Sequence, residues 1–259
     1  MEIWQAILLG AVQGLTEFLP VSSSGHLLLL QHYFGITENT VFYTVMLHVG
    51  TLIPVLIVLK KEIAGLFKDK WRKFLLLCLA TVPAGIFGLV FEKLIGIEEL
   101  FSGRIWLLSV TFSVTALELL FAERKAKRSA LFRLINVKTA TVMGFGQAVG
   151  VLPGISRSGS TLTFGTLAGV NGKENGAFTF LMSIPIILAA TVFSAADIVK
   201  SGTVGDISVV PLLLGVLTAI ITGYIAVSFM LTLIKKANYK WFSLYLLIIS
   251  VVNLLVYLK

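Results

Sequence analysis

Two stretches of this chain, about 3–34 and 139–170, are apolar at both flanks and polar at the centre, where they read LPVSSSGH and LPGISRSGST. Proline, glycine and clustered serines prevent either stretch from running as one continuous helix. Flanks this apolar also exclude a solvated loop. At membrane depth, irregular backbone survives only where it is buried in protein or lines a wet cavity. Both stretches are therefore expected to be helix–turn–helix re-entrant hairpins.

The rest of the chain supplies the membrane. Six segments, at about 41–59, 74–91, 105–122, 177–196, 208–230 and 241–258, are apolar throughout. Each runs for roughly 18–22 residues, enough to cross about 30 Å of hydrocarbon. The chain is 57% hydrophobic and 13% charged, whereas soluble domains carry roughly a quarter charged residues. A net charge of +8 would by itself suit nucleic acid. Its placement excludes that partner, because Lys and Arg cluster in short loops between apolar runs, as membrane topology requires. Cys78 lies in one such run and reads as a small core residue. The N-terminus lacks a basic region, and Gln13 and Glu17 interrupt its apolar stretch, so no cleaved signal peptide is expected.

The basic residues also orient the chain. Loop 60–73 holds Lys60, Lys61, Lys68, Lys70, Arg72 and Lys73, and loop 123–138 holds Arg124, Lys125, Lys127, Arg128, Arg133 and Lys138. Loop 235–240 adds Lys235, Lys236 and Lys240. With six crossings these loops share one side, which is expected to be cytoplasmic. The other side has Lys93, Arg104, Lys200 and Lys259, and residues 1–40 carry neither Lys nor Arg. Both termini are thus expected outside, with the first hairpin entering from outside and the second from the cytoplasm.

The hairpins repeat each other. Gly10, Gln13, Ser22, Ser24 and Gly25 recur at a constant offset as Gly144, Gln147, Ser156, Ser158 and Gly159, and Leu19-Pro20 recurs as Leu152-Pro153 with a shift of one. A weaker match pairs Glu38-Asn39, Phe42 and Met46 with Glu174-Asn175, Phe178 and Met182. One hairpin and three crossings per half invert the second half. The expected fold is an all-α polytopic membrane protein, one membrane domain over 1–259, with inverted repeats at about 1–125 and 135–259. Such repeats place sites near the midplane, at discontinuous helices.

Glu17 sits in LTEFLP, where an ionised acid needs a partner. It reads as a metal ligand, a general base or half of an ion pair. Gln13, one turn earlier on the same face, can share a cation with it, and Mg²⁺ or Ca²⁺ would take further oxygens from phosphate and water. Ser22, Ser23, Ser24 and Gly25 open a helix, so they either cap it or offer an anion site. His26 lies three residues after Ser23, where it can activate that hydroxyl or act as nucleophile itself. Arg157 at membrane depth needs an anion, either Glu17 or a phosphate held bidentately. Ser156, Ser158 and Thr161 add hydroxyls, and Gly154 and Gly159 allow close approach. Together these residues favour a phosphate or diphosphate ligand. Glu118 is expected to pair or snorkel towards the basic loop, and His48, Thr51 and Gln147 either line the cavity or, the favoured reading, pack and hydrogen-bond between helices.

The motifs QGLTEFLPVSSSGH and PGISRSGST resemble the two signature regions of the bacterial undecaprenyl-diphosphate phosphatases, the bacitracin-resistance family. The first signature is matched by Gln13 to Glu17 followed by His26, and the second from Pro153 to Thr161. The resemblance covers essentially the whole chain. It implies a multi-pass protein of the bacterial inner membrane that removes the terminal phosphate of a polyprenyl diphosphate, at a site open to the outer face and dependent on a divalent cation. It implies that Glu17 binds metal or acts as base, that Arg157 holds the diphosphate, and that Ser23 or His26 is the nucleophile. Gln13 stands where the motif also admits a second glutamate. Rival readings are a transporter of polyprenyl phosphate or another anionic lipid, and a factor that sequesters lipid diphosphate. Small-residue faces leave room for a homodimer.

Overall fold

The computed structural model describes residues 1–36, 40–68, 71–128, 133–201 and 208–259. Lys70, Glu38 and Asn39, used above for topology and for the weaker repeat match, lie outside the described residues. The described residues form twelve α-helices. In the first half these are α1 (Ile3–Phe18), α2 (Ser23–Tyr33), α3 (Thr40–Val58), α4 (Lys60–Leu66), α5 (Arg72–Ile95), α6 (Ile97–Ser102) and α7 (Leu107–Arg128). The second half has α8 (Val137–Val149), α9 (Arg157–Leu167), α10 (Gly172–Ser201), α11 (Val209–Lys236) and α12 (Lys240–Tyr257).

Five helices, α3, α5, α10, α11 and α12, are long and apolar enough to cross a membrane. Their outward faces carry Leu75, Val192, Leu213 and Leu255, each more than half exposed, while Gln13, Thr115 and Asn175 are fully buried. An apolar exterior around a polar interior is stable in lipid, and the chain is a multi-pass membrane protein. Cys78 faces outward on α5 instead of joining the core, because lipid there takes the place of packed side chains.

The sequence also predicts a crossing at 105–122. Its helix, α7, is not among the five, since Glu118, Glu123 and Arg124 interrupt the apolar run. It is a core helix, with Leu108, Phe112, Ala116, Leu119 and Ala122 wholly buried. Beyond its apolar part, Glu123 accepts from the backbone N–H groups of Tyr239 and Lys240 at 2.6 and 2.7 Å, and from Lys127 Nζ at 2.5 Å. Burial pushes its carboxyl up, but these donors outweigh burial and hold it below the usual carboxylate range. Burial and the same carboxylate push the Tyr239 hydroxyl up.

The halves are interleaved. Helix α1 packs on α11, and α8, its repeat counterpart, packs on α5, the counterpart of α11. The repeated glycines make these contacts possible. A Cβ at Gly10 would overlap the carbonyl oxygen of Gly215 on α11, and one at Gly144 would overlap that of Ala80 on α5. Close backbone approach through small residues is the usual way helices associate in lipid. It seats both hairpins in the interior.

Candidate active site

Each hairpin turns at its proline-containing segment, Leu19–Ser22 or Gly150–Ser156, and restarts as a short helix with a serine N-cap. Ser22 Oγ accepts from the Gly25 N–H at 3.3 Å and lies 3.3 Å from Ser24 Oγ. Ser156 Oγ accepts from the Gly159 N–H at 3.1 Å and lies 3.2 Å from Ser158 Oγ. The repeated serines and glycines are therefore one capping device used twice. The first use is strained, because Ser22 has φ 69° and ψ 96°, a region L residues avoid unless their surroundings impose it.

The two turns interlock. Gly25 packs against Gly154, and Gly159 against Pro20, while Ser158 Oγ donates to the Leu19 carbonyl at 3.2 Å. Gly154 has φ +84° and leaves no space for a Cβ beside Thr111, so glycine meets both a conformational and a steric demand. Thr115 on α7 fixes the second turn, donating to the Gly154 carbonyl and accepting from the Ser156 N–H, both at 3.1 Å.

This interlock brings Glu17, near the end of α1, to Arg157, at the start of α9. The guanidinium donates from Nη2 to Glu17 Oε1. The other oxygen, Oε2, accepts from Ser23 Oγ at 2.6 Å and Gln13 Nε2 at 2.9 Å, with His48 Nε2 at 3.5 Å. The Glu17 side chain is only 1% exposed. A carboxylate so deeply buried is costly unless its lone pairs are satisfied, and donors from three helices satisfy them here. Arg157 and His48 are about one-fifth exposed, and their open edges face a cavity of about 710 Å³.

Glu17, Ser22, Ser23, Ser24, Ser156 and Arg157 line that cavity together with His48. Gln13, Gly25, His26, Gly154, Ser158 and Thr161 do not. Gly25, Gly154 and Ser158 join the hairpins as described, and Thr161 Oγ1 turns back to the Arg157 carbonyl at 2.8 Å. The expected contact between His26 and Ser23 is not formed, since Ser23 donates to Glu17 and His26 bonds Ser22 and Tyr245. Glu118 does not reach the basic loop. Helix α9 packs on α7 and gives it a nearer partner, Ser160 Oγ, which donates to Glu118 Oε2 at 2.5 Å. His48, for which packing is the favoured reading of the sequence, instead lines the cavity beside Glu17. The available signal was an ionisable side chain in the middle of an apolar span.

Among the described residues there is no group of three or more His, Cys, Asp and Glu side chains placed to hold a metal. The carboxylates lining the cavity are Glu17 and Glu99, and behind the wall, one turn from Glu17, Gln13 Oε1 is buried with no hydrogen-bond partner. An orphaned amide oxygen one turn from a carboxylate fits a hard cation that keeps other oxygens from water and ligand. The remaining wall is mixed, with an apolar stretch of Leu27, Leu28, Val45, Ile186 and Ile187 beside Gln31, Thr44, Glu99 and Thr191. Charge at one end and hydrocarbon along the side suit an anionic head on an apolar tail.

Comparison with known proteins agrees with this reading. Residues 6–252 match the family described as bacitracin resistance protein BacA. The undecaprenyl-diphosphatase of Carboxydothermus hydrogenoformans is 40% identical over 97% of this chain and 96% of its own length. That of Treponema denticola is 37% identical, covering 95% of this chain and 94% of its own. That of Methanobrevibacter smithii is 35% identical, covering 97% and 96%.

Proposed function

The chain belongs to the bacitracin resistance protein BacA family, and from that premise we propose that it is an undecaprenyl-diphosphatase whose chemistry runs on the Glu17, Ser23 and Arg157 cluster. The reaction converts undecaprenyl diphosphate and water to undecaprenyl phosphate and inorganic phosphate. One observation carries the assignment of the site: an arginine from one hairpin and an acid and a serine from the other share a single cavity.

Arg157 receives the diphosphate, exchanging part of its pairing with Glu17 for bidentate contacts to phosphate oxygens. Ser23 Oγ attacks the terminal phosphorus and its proton passes to Glu17 Oε2, already 2.6 Å away. The bond from that phosphorus to the bridging oxygen breaks, and undecaprenyl phosphate leaves with the electron pair. Water then attacks the phosphoserine, releasing inorganic phosphate and returning the proton to Ser23. Charge on the equatorial oxygens is the main obstacle in phosphoryl transfer. Arg157 and the N-terminal ends of α2 and α9 answer it. A divalent cation, Mg²⁺ or Ca²⁺, held by Glu17 and Gln13 would supply further neutralisation of the diphosphate.

In this reading α7 is a sixth crossing and the two hairpins are re-entrant. Helices α2 and α9 have 11 residues each, about 16 Å at 1.5 Å per residue, half of a 30 Å core. The basic loops lie in the cytoplasm and the cavity opens to the outer face of the plasma membrane. The lipid tail stays among the helices while the head enters the cavity from the side. Every side chain used comes from one chain.

The test is phosphate release from purified protein given a polyprenyl diphosphate, with and without a chelator. Release that stops on chelation is expected. No release under either condition, with lipid flux intact in liposomes, would replace the enzyme with a carrier.

A further inference from the structure

The surface between α3 and α5 combines exposed cations with exposed aromatic rings. In the sequence, 60–73 carries six Lys and Arg against two acids, Glu62 and Asp69. Lys60, Lys61, Lys68, Arg72 and Lys73 are all exposed, and none is in a salt bridge among the described residues. Arg72 and Lys73 stand in the first turn of α5, the positive end of the helix dipole, where a cation is unfavourable. No acid in that turn offsets them.

Phe67 and Trp71 are 47% and 54% exposed. Their ring centroids lie 4.9 Å apart, and both rings meet Phe74 at 5.6 Å. This cluster sits where two apolar spans end, one closing at Val58 and the other opening at Arg72. Tryptophan at the end of a span belongs to the membrane–water interface, where its apolar body and polar N–H are both accommodated.

Helix α8 extends the same face. It runs parallel to α5, since Gly144 packs on Ala80 and Val151 faces Gly88, so the two helices start side by side. Phe74 and Lys138 each lie six residues before the contact of Ala80 with Gly144. Lys138 is exposed in the first turn of α8, which also has no acid. Leu134 and Val137 in the same segment are 67% and 64% exposed. At the far end of α8, Gly150 packs against Arg157, about 18 Å from Lys138 at 1.5 Å per residue.

We propose that this face binds acidic phospholipids of the surrounding bilayer. The six basic residues meet headgroup phosphates, and Phe67 and Trp71 enter the boundary between headgroups and acyl chains. Bound lipid thereby steadies the pair of α5 and α8 that seats the second hairpin. Lipid is the occupant because the rings and cations abut two spans, where headgroups are already at hand and clustered Lys and Arg attract acidic ones. Binding of this kind does not depend on the phosphatase reading.

The experiment places purified protein in nanodiscs of phosphatidylcholine alone, or of phosphatidylcholine mixed with the acidic phosphatidylglycerol. Wild type is expected to unfold about 5 °C higher in the mixed bilayer, and high salt should shrink that gain by screening. A variant with Lys60→Gln, Lys61→Gln, Lys68→Gln, Arg72→Gln, Lys73→Gln and Lys138→Gln should lose the gain. In a second variant, Trp4→Phe, Trp106→Phe and Trp241→Phe leave Trp71 as the sole indole. Brominated phosphatidylglycerol should quench its fluorescence more strongly than brominated phosphatidylcholine. Equal melting temperatures of wild type in the two bilayers, a gain that survives high salt, or a gain kept by the six-residue variant would overturn the proposal. If that variant fails to fold, the Trp71 fluorescence decides: preferential quenching by the acidic lipid sustains the proposal and equal quenching ends it. The same stabilisation by soluble polyglutamate in phosphatidylcholine would assign the face to an acidic protein and also end it. Neither readout measures phosphate release, so an inactive protein would reject the phosphatase reading and leave lipid binding standing.

Discussion

Arg157, the first residue of α9, is ion-paired with Glu17, the penultimate residue of α1, so the two hairpins are joined by the charges that the proposed chemistry uses. The pair offsets the cost of burying a guanidinium and a carboxylate inside the fold. With diphosphate present, the arginine has a second anion to bind.

Removing either partner should therefore affect both activity and stability. Arg157→Ala and Glu17→Ala are each expected to abolish phosphate release. A lost hydrogen bond to a charged group costs about 1.5–3 kcal/mol, so each single variant should unfold more readily in detergent. The double variant should be less destabilised than the two singles added together, because neither charge is then left alone. Additive losses would show that the pair is not coupled.

Glu17→Gln keeps the shape of the side chain and removes its ability to take the Ser23 proton. Loss of general-base catalysis is typically about 10²–10⁴-fold, and that range is expected in kcat. Ser23→Ala should fall to background, whereas Ser24→Ala, whose neighbour Ser22 still caps α2, should stay within a few-fold of wild type. Equal effects of the two serine variants would remove Ser23 from the chemistry.

Thr115 has no charge and no access to substrate, yet both ends of the second turn depend on its hydroxyl. Thr115→Val leaves a buried carbonyl and a buried N–H unpaired, at about 1–3 kcal/mol. Lower thermal stability and reduced turnover are expected together. Full activity at an unchanged melting temperature would mean that the turn is held elsewhere.

Gly10→Ala and Gly144→Ala push a methyl into a facing backbone carbonyl, whereas a Cβ at Gly85 meets nothing within 4 Å. Overpacking costs about 1–3 kcal/mol, so the first two should lower the melting temperature and the third should not. Thermal unfolding in detergent distinguishes them.

Glu123 sets a pH dependence of stability outside the bilayer. Its carboxyl is held below the ordinary range in the folded chain, so the ionised form favours folding. That contribution is fully present above the unfolded carboxyl's pKa and is lost as pH falls through the lowered folded value. Glu123→Gln should be less stable than wild type at pH 7. The gap should narrow in acid and stay level from neutral pH upwards, as melting temperature against pH would record.

Much of this architecture was legible in the residues. The interrupted stretches located both hairpins because proline clustered with glycine and serine ends a helix, whereas the isolated Pro54, Pro83 and Pro185 are carried inside α3, α5 and α10, and α1–α2 and α8–α9 begin and end within a few residues of the expected limits. The expense of burying Glu17 and Arg157 implied that they would meet a counter-charge, and they meet each other. Side-chain direction was not legible. His26 turns to Tyr245, 219 residues away in the chain, and His48 turns to Glu17 and the cavity. Glu118 was read against the basic loop near it in sequence, but α9 lies nearer in space. Cys78 shows the same limit: an apolar run fixes depth in the bilayer and says nothing about which side of the helix faces lipid.

The seat of α1 has a consequence for biosynthesis. Helix α1 packs mainly against α11, which lies far later in the chain. During synthesis that partner emerges long after the hairpin, which until then has only α2 and α3 to cover it. Truncation before Val209 should therefore leave α1 with its main packing face open to lipid and mark the fragment for membrane quality control.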